Sequence, residues 1–493
     1  MTLTEELAAW ASALRPDDIP DDVLETAKNQ ILSQFAAIRA GAEHPLGRKV
    51  IKAFGEPLQR DPRGSAYVLA GLGSWLHFDD TAYAGHLSNS TVTVPVAYAR
   101  SQGLDGAGLL TAVVAANECA ARVTASTTLG PFRGQSATHT HVTGAVIGRL
   151  WGERAPVRQW VDALGLGFGL PPRTVPVGFL GGDAKVFSAS TPVQVGLDAC
   201  AAAAAGFRGS PDIIEHREGF LSRFATTPLP DAVAAGLGTR WHTRTTSFKV
   251  HPGGPGMDAA IDCGLEIHRE IGSVRARDVA ELVVDTSLYT VLVNRQAGAY
   301  RQGADSPVSA LVFSLGYTLA TALLTGQLTW RDFAPEGVSD QERWALADRM
   351  VVNLDERMTR DTFRCEVPFG EALRQAGPRG RDWLRAFGAR WRGDGQWLVD
   401  LVGDPDPPSA DFSTARKVTG ARVSVRLTDG WEVTRELHMP VGAVGSCDGP
   451  AMSRLVREKF LGTGGSSEVA DAVAVLEKAT PTEVAEVLSA ALA

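Results

Sequence analysis

Through most of residues 1–225 apolar side chains recur three and four positions apart, as in EELAAWASAL, DDVLETAKNQILSQFAAIRAG, GAGLLTAVVAANECAARVTAS and STPVQVGLDACAAAAAGFRG. That spacing lines one face of a helix, and it predicts a helical bundle with Gly41 and Gly206 in C-cap positions. The alanine run 201–205 predicts helices packed closely around small side chains. After about residue 250 the pattern changes. VAELVVDTS (279–287) and MVVNLD (350–355) read as strands. ARVSVRLTDGWEVTRELHMP (421–440) alternates apolar and polar positions on both sides of Asp429-Gly430, which predicts a hairpin with a type I′ turn. Helical periods return in MSRLVREKFL and EVADAVAVLEKA. The expected fold is mainly α: a helical domain built from both chain ends, 1–250 and 445–493, interrupted by a smaller α+β domain at 251–444.

SALVFSLGYTLATALLTG (309–326) is long and uncharged enough to suggest a membrane span, but Ser, Thr and Gly interrupt it and no other segment resembles it. A helix buried on all sides of a soluble protein is the expected outcome. The start, MTLTEELAAW, is acidic and amphipathic, with Thr2 and Glu5 at capping-box spacing, and it lacks the regions of an export signal. A cytoplasmic protein is therefore expected.

The chain has 493 residues, 44% apolar and 21% charged, with a net charge of −8. Basic residues are scattered, so neither nucleic acid nor a membrane surface is an expected partner. Cys119, Cys200, Cys263, Cys365 and Cys447 are odd in number and widely spaced, which argues against a disulfide framework or a cysteine metal site.

Four polar clusters interrupt the apolar pattern. HFDDTAYAGHLS (77–88) carries His77, Asp79, Asp80, Thr81 and His86 in a segment that bends. SATHTHVTG (136–144) carries His139 and His141. GGDAKVFSAS (181–190) carries Lys185 and Ser188, and SFKVHPGGPG (247–256) carries Lys249 and His251. Tyr317 adds a phenol inside the apolar helix. His139 and His141 with His77, Asp79 or His86 offer a mixed nitrogen and oxygen set for a metal, yet no fixed ligand spacing such as HExxH appears. Imidazoles, ammonium groups and a phenol together suit metal-free proton transfer beside a carbonyl, with positive charge stabilising an enolate. No G-x-S-x-G elbow and no G-x-x-x-x-G-K-[ST] loop is present.

These clusters, with the entry helices LRPDDIPDDVLETAKNQIL, the order FDDT, HVTG, Lys then QVGL, SFKVHP…AAID and FSLGYTLATALLTG, resemble the MmgE/PrpD family over nearly the whole chain. The resemblance implies a helical domain carrying an α+β lid, a homodimer, no cofactor, and a small carboxylate or carbonyl substrate. It implies catalytic roles for His86, His141, Lys185, Lys249 and Tyr317. His77, Asp79, Asp80, Thr81, His139, Ser188 and His251 are expected to line the substrate site. The chain also departs from the family. His77 replaces a frequent aspartate, Ser188 and Thr191 replace a histidine and an arginine, and Pro255 and Asp258 replace an arginine and a histidine. Residues 363–416 look longer than the usual lid. The expected activity is dehydration of a β-hydroxy acid other than methylcitrate, with decarboxylation or epimerisation the alternatives on the same scaffold. A lapsed enzyme kept as a binding protein is the alternative from another class.

Overall fold

A computed structural model describes residues 1–131 and 139–492, so residues 136–138 of the SATHTHVTG motif lie outside the described residues. Helices take 61% of the chain and strands 7%, a mainly α fold with a small α+β part. Thr2 and Glu5 cap the first helix, Leu3–Ala13, reciprocally, each side chain accepting from the other's backbone amide. Helix Asp21–Glu43 is buried over most of its length from Ala27 onward. Helix Pro62–Ser74 packs on it, as do the returning helices Gly449–Gly462, Ser467–Ala474 and Pro481–Leu492. Gly41 is not a cap. Its helix continues to Glu43, and a Cβ at Gly41 would collide with the carbonyl oxygen of Leu72, so the two backbones touch there. Gly206 does follow a helix end, at Phe187–Ala204, with φ of +91°.

Helix Gly106–Thr127 is almost wholly buried, its paired Glu118 and Arg122 included, and packs against Thr140–Glu153, which in turn packs against Phe187–Ala204. The stretch 309–326 is broken rather than continuous. Val308–Leu311 and Leu315–Thr325 are separate helices, and the Ser314 hydroxyl caps the second by accepting from the Tyr317 amide. Among the described residues no helix is long and apolar enough to cross a membrane.

Two short strands, β1 (Asp80–Thr81) and β2 (Ser247–Phe248), pair antiparallel. A four-stranded sheet is made of β3 (Val279–Thr286), β4 (Val351–Leu354), β5 (Ala421–Leu427) and β6 (Glu432–Leu437), in the order β4-β3-β5-β6. β3 and β4 run parallel, while the other neighbours are antiparallel. Alternate residues Ala421, Val423, Val425 and Leu427 face inward, and helix Asp258–Ile271 packs on β5 and β6. The β5–β6 connection differs from a type I′ turn. Leu427 donates to Trp431, Gly430 donates to Leu427, and only Gly430 has positive φ, so three residues form the loop with glycine in the left-handed position.

The segment 363–416 folds into helices Gly370–Ala376, Gly380–Gly388 and Gln396–Val402 around an aromatic cluster of Phe363, Phe369, Trp383 and Phe387. Several contacts fasten it to the first 250 residues, among them an Arg379 bond to the Pro228 carbonyl, Phe412 packed on Tyr83 and His242, and two that are buried. Trp383 Nε1 donates to the Gly130 carbonyl at 3.0 Å, and Glu371 pairs with Arg240, both buried.

Candidate active site

The bend at 77–88 is held from several directions. β1 pairs with β2, the Lys249 amide donates to the Asp79 carbonyl at 3.1 Å, and the Gly253 amide donates to the Leu76 carbonyl at 3.2 Å. Lys417 Nζ donates to the Thr81 hydroxyl at 2.9 Å, and Lys459 Nζ donates to the Ser33 hydroxyl at 2.7 Å and to the Phe78 carbonyl. This frame sets His77 and His86 into the wall of a cavity of about 720 Å³, mouth included.

His86 is oriented from behind. Its Nδ1 bonds both oxygens of Asp79, at 3.0 and 3.1 Å, which leaves Nε2 for the cavity. Asn89 Nδ2 donates to the same carboxylate at 2.5 Å and is fixed in turn by Gln34 at 2.9 Å. Burial alone would raise the Asp79 carboxyl. The His86 ring, through its charge and hydrogen bond, and the Lys185 ammonium outweigh burial and hold it below its ordinary value. The adjacent Asp80 is pushed up by burial and by the charge of Asp79. His77 stands edge-on to His86, ring centroids 4.4 Å apart, and also to Phe313 at 4.6 Å. Its backbone is left-handed, φ of 48°, a conformation unfavourable for a side chain of this size. Neither ring nitrogen has a partner among the described residues, and burial with nearby Lys185, His86 and Lys249 drives its pKa well below the ordinary value. A buried imidazole held neutral with both nitrogens open is a group waiting for a ligand.

Lys185 lies behind this wall. Its ammonium sits over the rings of Phe179 and Phe313, at 5.4 and 6.0 Å, and donates to the Ser74 carbonyl at 2.9 Å. Burial lowers its pKa to about 7, although Asp79 pulls the other way. His141 Nδ1 bonds the Ser90 hydroxyl at 3.0 Å, and burial lowers its pKa to about 3. Lys249 is paired with Asp258 at 2.6 Å, so the acid that departs from the family pattern neutralises this ammonium.

Other expected site residues lie elsewhere. The Tyr317 hydroxyl donates to the Asp332 carbonyl and accepts from Arg343 at 3.4 Å, against Phe333 and Trp344, and it is not on the cavity wall. His251 pairs with Asp262 at 2.9 Å. His139 bonds the Thr127 hydroxyl at 2.8 Å and packs on Phe220. Ser188 lines a neighbouring groove with Arg173 and Thr191.

Asp79, Asp80 and His86 bring ligand atoms within 4.8 Å of one another, as a metal site requires. Their surroundings do not suit a cation. The Asp80 oxygens already accept from Gln30, from the Leu87 amide and from the amide and hydroxyl of Ser88, and the Asp79 oxygens accept from Asn89 and His86. Amide and hydroxyl donors aimed at both carboxylates fill the lone pairs a metal would use.

Two stretches of the chain match one family in order, the MmgE/PrpD N-terminal domain at residues 5–232 and the MmgE/PrpD C-terminal domain at residues 251–374. The chain belongs to the MmgE/PrpD family. Its relatives include the cis-aconitate decarboxylase of Aspergillus terreus (strain NIH 2624 / FGSC A1156), 25% identical over 415 residues, covering 73% of this chain and 80% of that one. Another is the cis-aconitate decarboxylase-like protein oryM of Aspergillus oryzae (strain ATCC 42149 / RIB 40), 22% identical over 382 residues, covering 70% and 78%. The MmgE/PrpD match ends before Trp383, Lys417 and Lys459, three residues at or beside the site that sequence reasoning missed. A lone lysine in a polar run carries no signal that distinguishes it from a solvated one.

Proposed function

We propose that this MmgE/PrpD protein is a lyase working by side-chain acid–base chemistry, and that its reaction is dehydration of a β-hydroxy acid. The observation that carries the reading is the Asp79–His86 dyad, which turns one imidazole nitrogen toward a cavity also lined by a neutral, unpartnered His77. In this mechanism His86 Nε2 takes the proton from the carbon next to the carboxylate. The electron pair left there forms the Cα–Cβ double bond as the Cβ–O bond breaks. The proton held on His86 goes to the departing oxygen, so water and the 2-enoate leave and the enzyme is unchanged. Asp79 fixes the ring's tautomer and stabilises its charged form, His77 hydrogen-bonds the hydroxyl, and the field of Lys185 favours the enolate-like state. Decarboxylation is the second reading, supported by the names of the relatives. There the proton on His86 would go to the carbanion left by carbon dioxide.

The test is a panel of 3-hydroxy acids incubated with the enzyme in D₂O, following 2-enoate by absorbance and Cα deuteration by NMR. The wild type should form enoate, and His86→Gln should lower the rate roughly 100- to 10,000-fold. Carbon dioxide release without enoate would favour the second reading. No turnover and no deuteration across the panel would sink the proposal.

A further inference from the structure

We propose that the cavity takes a substrate with a single carboxylate or carbonyl head and an apolar tail, and that the segment 363–416 builds the seat for that tail. This names the substrate class of the acid–base site above and rests on that reading. Among the described residues of the cavity wall there is no lysine or arginine. The nearby ammonium groups are already engaged, Lys249 by Asp258, Lys185 by the Ser74 carbonyl behind Phe179 and Phe313, Lys417 by the Thr81 hydroxyl, and Lys459 by the Ser33 hydroxyl and the Phe78 carbonyl. A tricarboxylate entering here would give up its water for each charge and find no free cation among the described residues of that wall. One head group suits the polar part of the wall, where His77, His86, Thr128 and Gln296 stand.

The opposite chemistry comes from the lid. Phe369 stands 5.1 Å from Tyr289 and 5.5 Å from Trp383, centroid to centroid, and all three face the cavity. Phe369 and Trp383 belong to the 363–416 segment, and the bond from Trp383 to the Gly130 carbonyl fixes that segment at the cavity. Rigid aromatic faces joined to the imidazole pair through Phe179 and Phe313 make a seat for an aryl or long alkyl group.

Isothermal titration with 4-phenylbutyrate and with tricarballylate, neither of which can dehydrate, reads this without turnover. Phenylbutyrate should bind at least about tenfold more tightly than tricarballylate. Val293→Phe, which fills the cavity from helix Leu288–Gly298, should weaken phenylbutyrate at least about tenfold while the unfolding transition of the variant stays cooperative. Trp383→Phe keeps an aromatic face and should weaken it less. Tricarballylate binding as tightly as phenylbutyrate, no binding of either, or phenylbutyrate binding untouched by Val293→Phe overturns the proposal. Selective phenylbutyrate binding by a protein that turns over no 3-hydroxy acid supports this ligand class and counts against the catalytic reading alone.

Discussion

Replacing Lys185 with methionine should make the protein more stable and less active at once. The ammonium is fully buried, and burial brings its pKa from 10.5 down to about 7. A folded value below the unfolded one means that the unfolded chain holds this proton more tightly. Stability from this group is therefore complete above about pH 10.5, falls as pH drops, and reaches its minimum below about pH 7. At about 1.4 kcal/mol per pH unit, the interval from 10.5 to about 7 sets an upper figure of ~5 kcal/mol lost near neutrality. Methionine fills similar space without the charge. The Ser74 carbonyl would keep the bond it accepts from the His77 amide at 3.3 Å, so no orphaned acceptor is created. The attraction of Asp79 is already contained in the value of about 7, so its loss subtracts nothing further, and imperfect packing of methionine takes back up to about 1.5 kcal/mol. Lys185→Met should thus be about 2–4 kcal/mol more stable than the wild type at about pH 6. The advantage should shrink steadily through about pH 8 and nearly vanish by about pH 10. Urea denaturation of both proteins at those three pH values measures it, other titrating groups cancelling in the difference. Turnover should fall roughly 100-fold or more, because the field that favours the enolate is gone. A variant less stable than wild type at pH 6, or an advantage constant across pH, would refute the reasoning.

Asp79→Asn should keep the fold while lowering kcat roughly 100- to 10,000-fold, since the amide cannot stabilise the charged His86 ring; steady-state kinetics with circular dichroism checks both halves. Glu371→Ala strands Arg240 without its buried partner and should cost about 3–5 kcal/mol, measured by urea denaturation, whereas Glu371→Gln should cost less. The family resemblance predicts a homodimer, so light scattering at micromolar concentration should give twice 52.2 kDa, and a mass of 52.2 kDa would count against it.

The polar run at 77–88 was conspicuous in the sequence because its histidines and aspartates follow no helical face, although a structural role was open to each, as with the backbone amides that donate to Asp80. Which of them would act was not. Asp79 and Asp80 are neighbours in sequence, yet one is turned to His86 and the other to Ser88 and Gln30, a difference of backbone direction at β1. Tyr317 shows a limit of periodicity. The apolar run marks a helix, but the break at Val312 and Phe313 brings Phe313 to the cavity and leaves the Tyr317 hydroxyl with Asp332. Asp429-Gly430 marks a hairpin correctly, and the same dipeptide serves a two- or three-residue loop. The pairing of Lys249 with Asp258 links positions nine apart across a turn, beyond what spacing alone resolves.

The bonds that hold residues 77–88 reach unusually far along the chain. Lys417 meets Thr81 across 336 positions, and Lys459 meets Phe78 across 381. Contacts so remote form late, because the chain must close large loops before they return any free energy. During synthesis the bend that carries His77 and His86, and the helices on either side of it, emerge long before either lysine exists. Lys459 is itself a buried ammonium whose pKa burial lowers to about 7, so its docking also needs Asp79 and Asp80 already close by to favour its charge. The pocket is thus a product of the finished chain. A ribosome that halts before residue 459 would release a protein in which every imidazole of the site is present and the bend that presents them is unpinned.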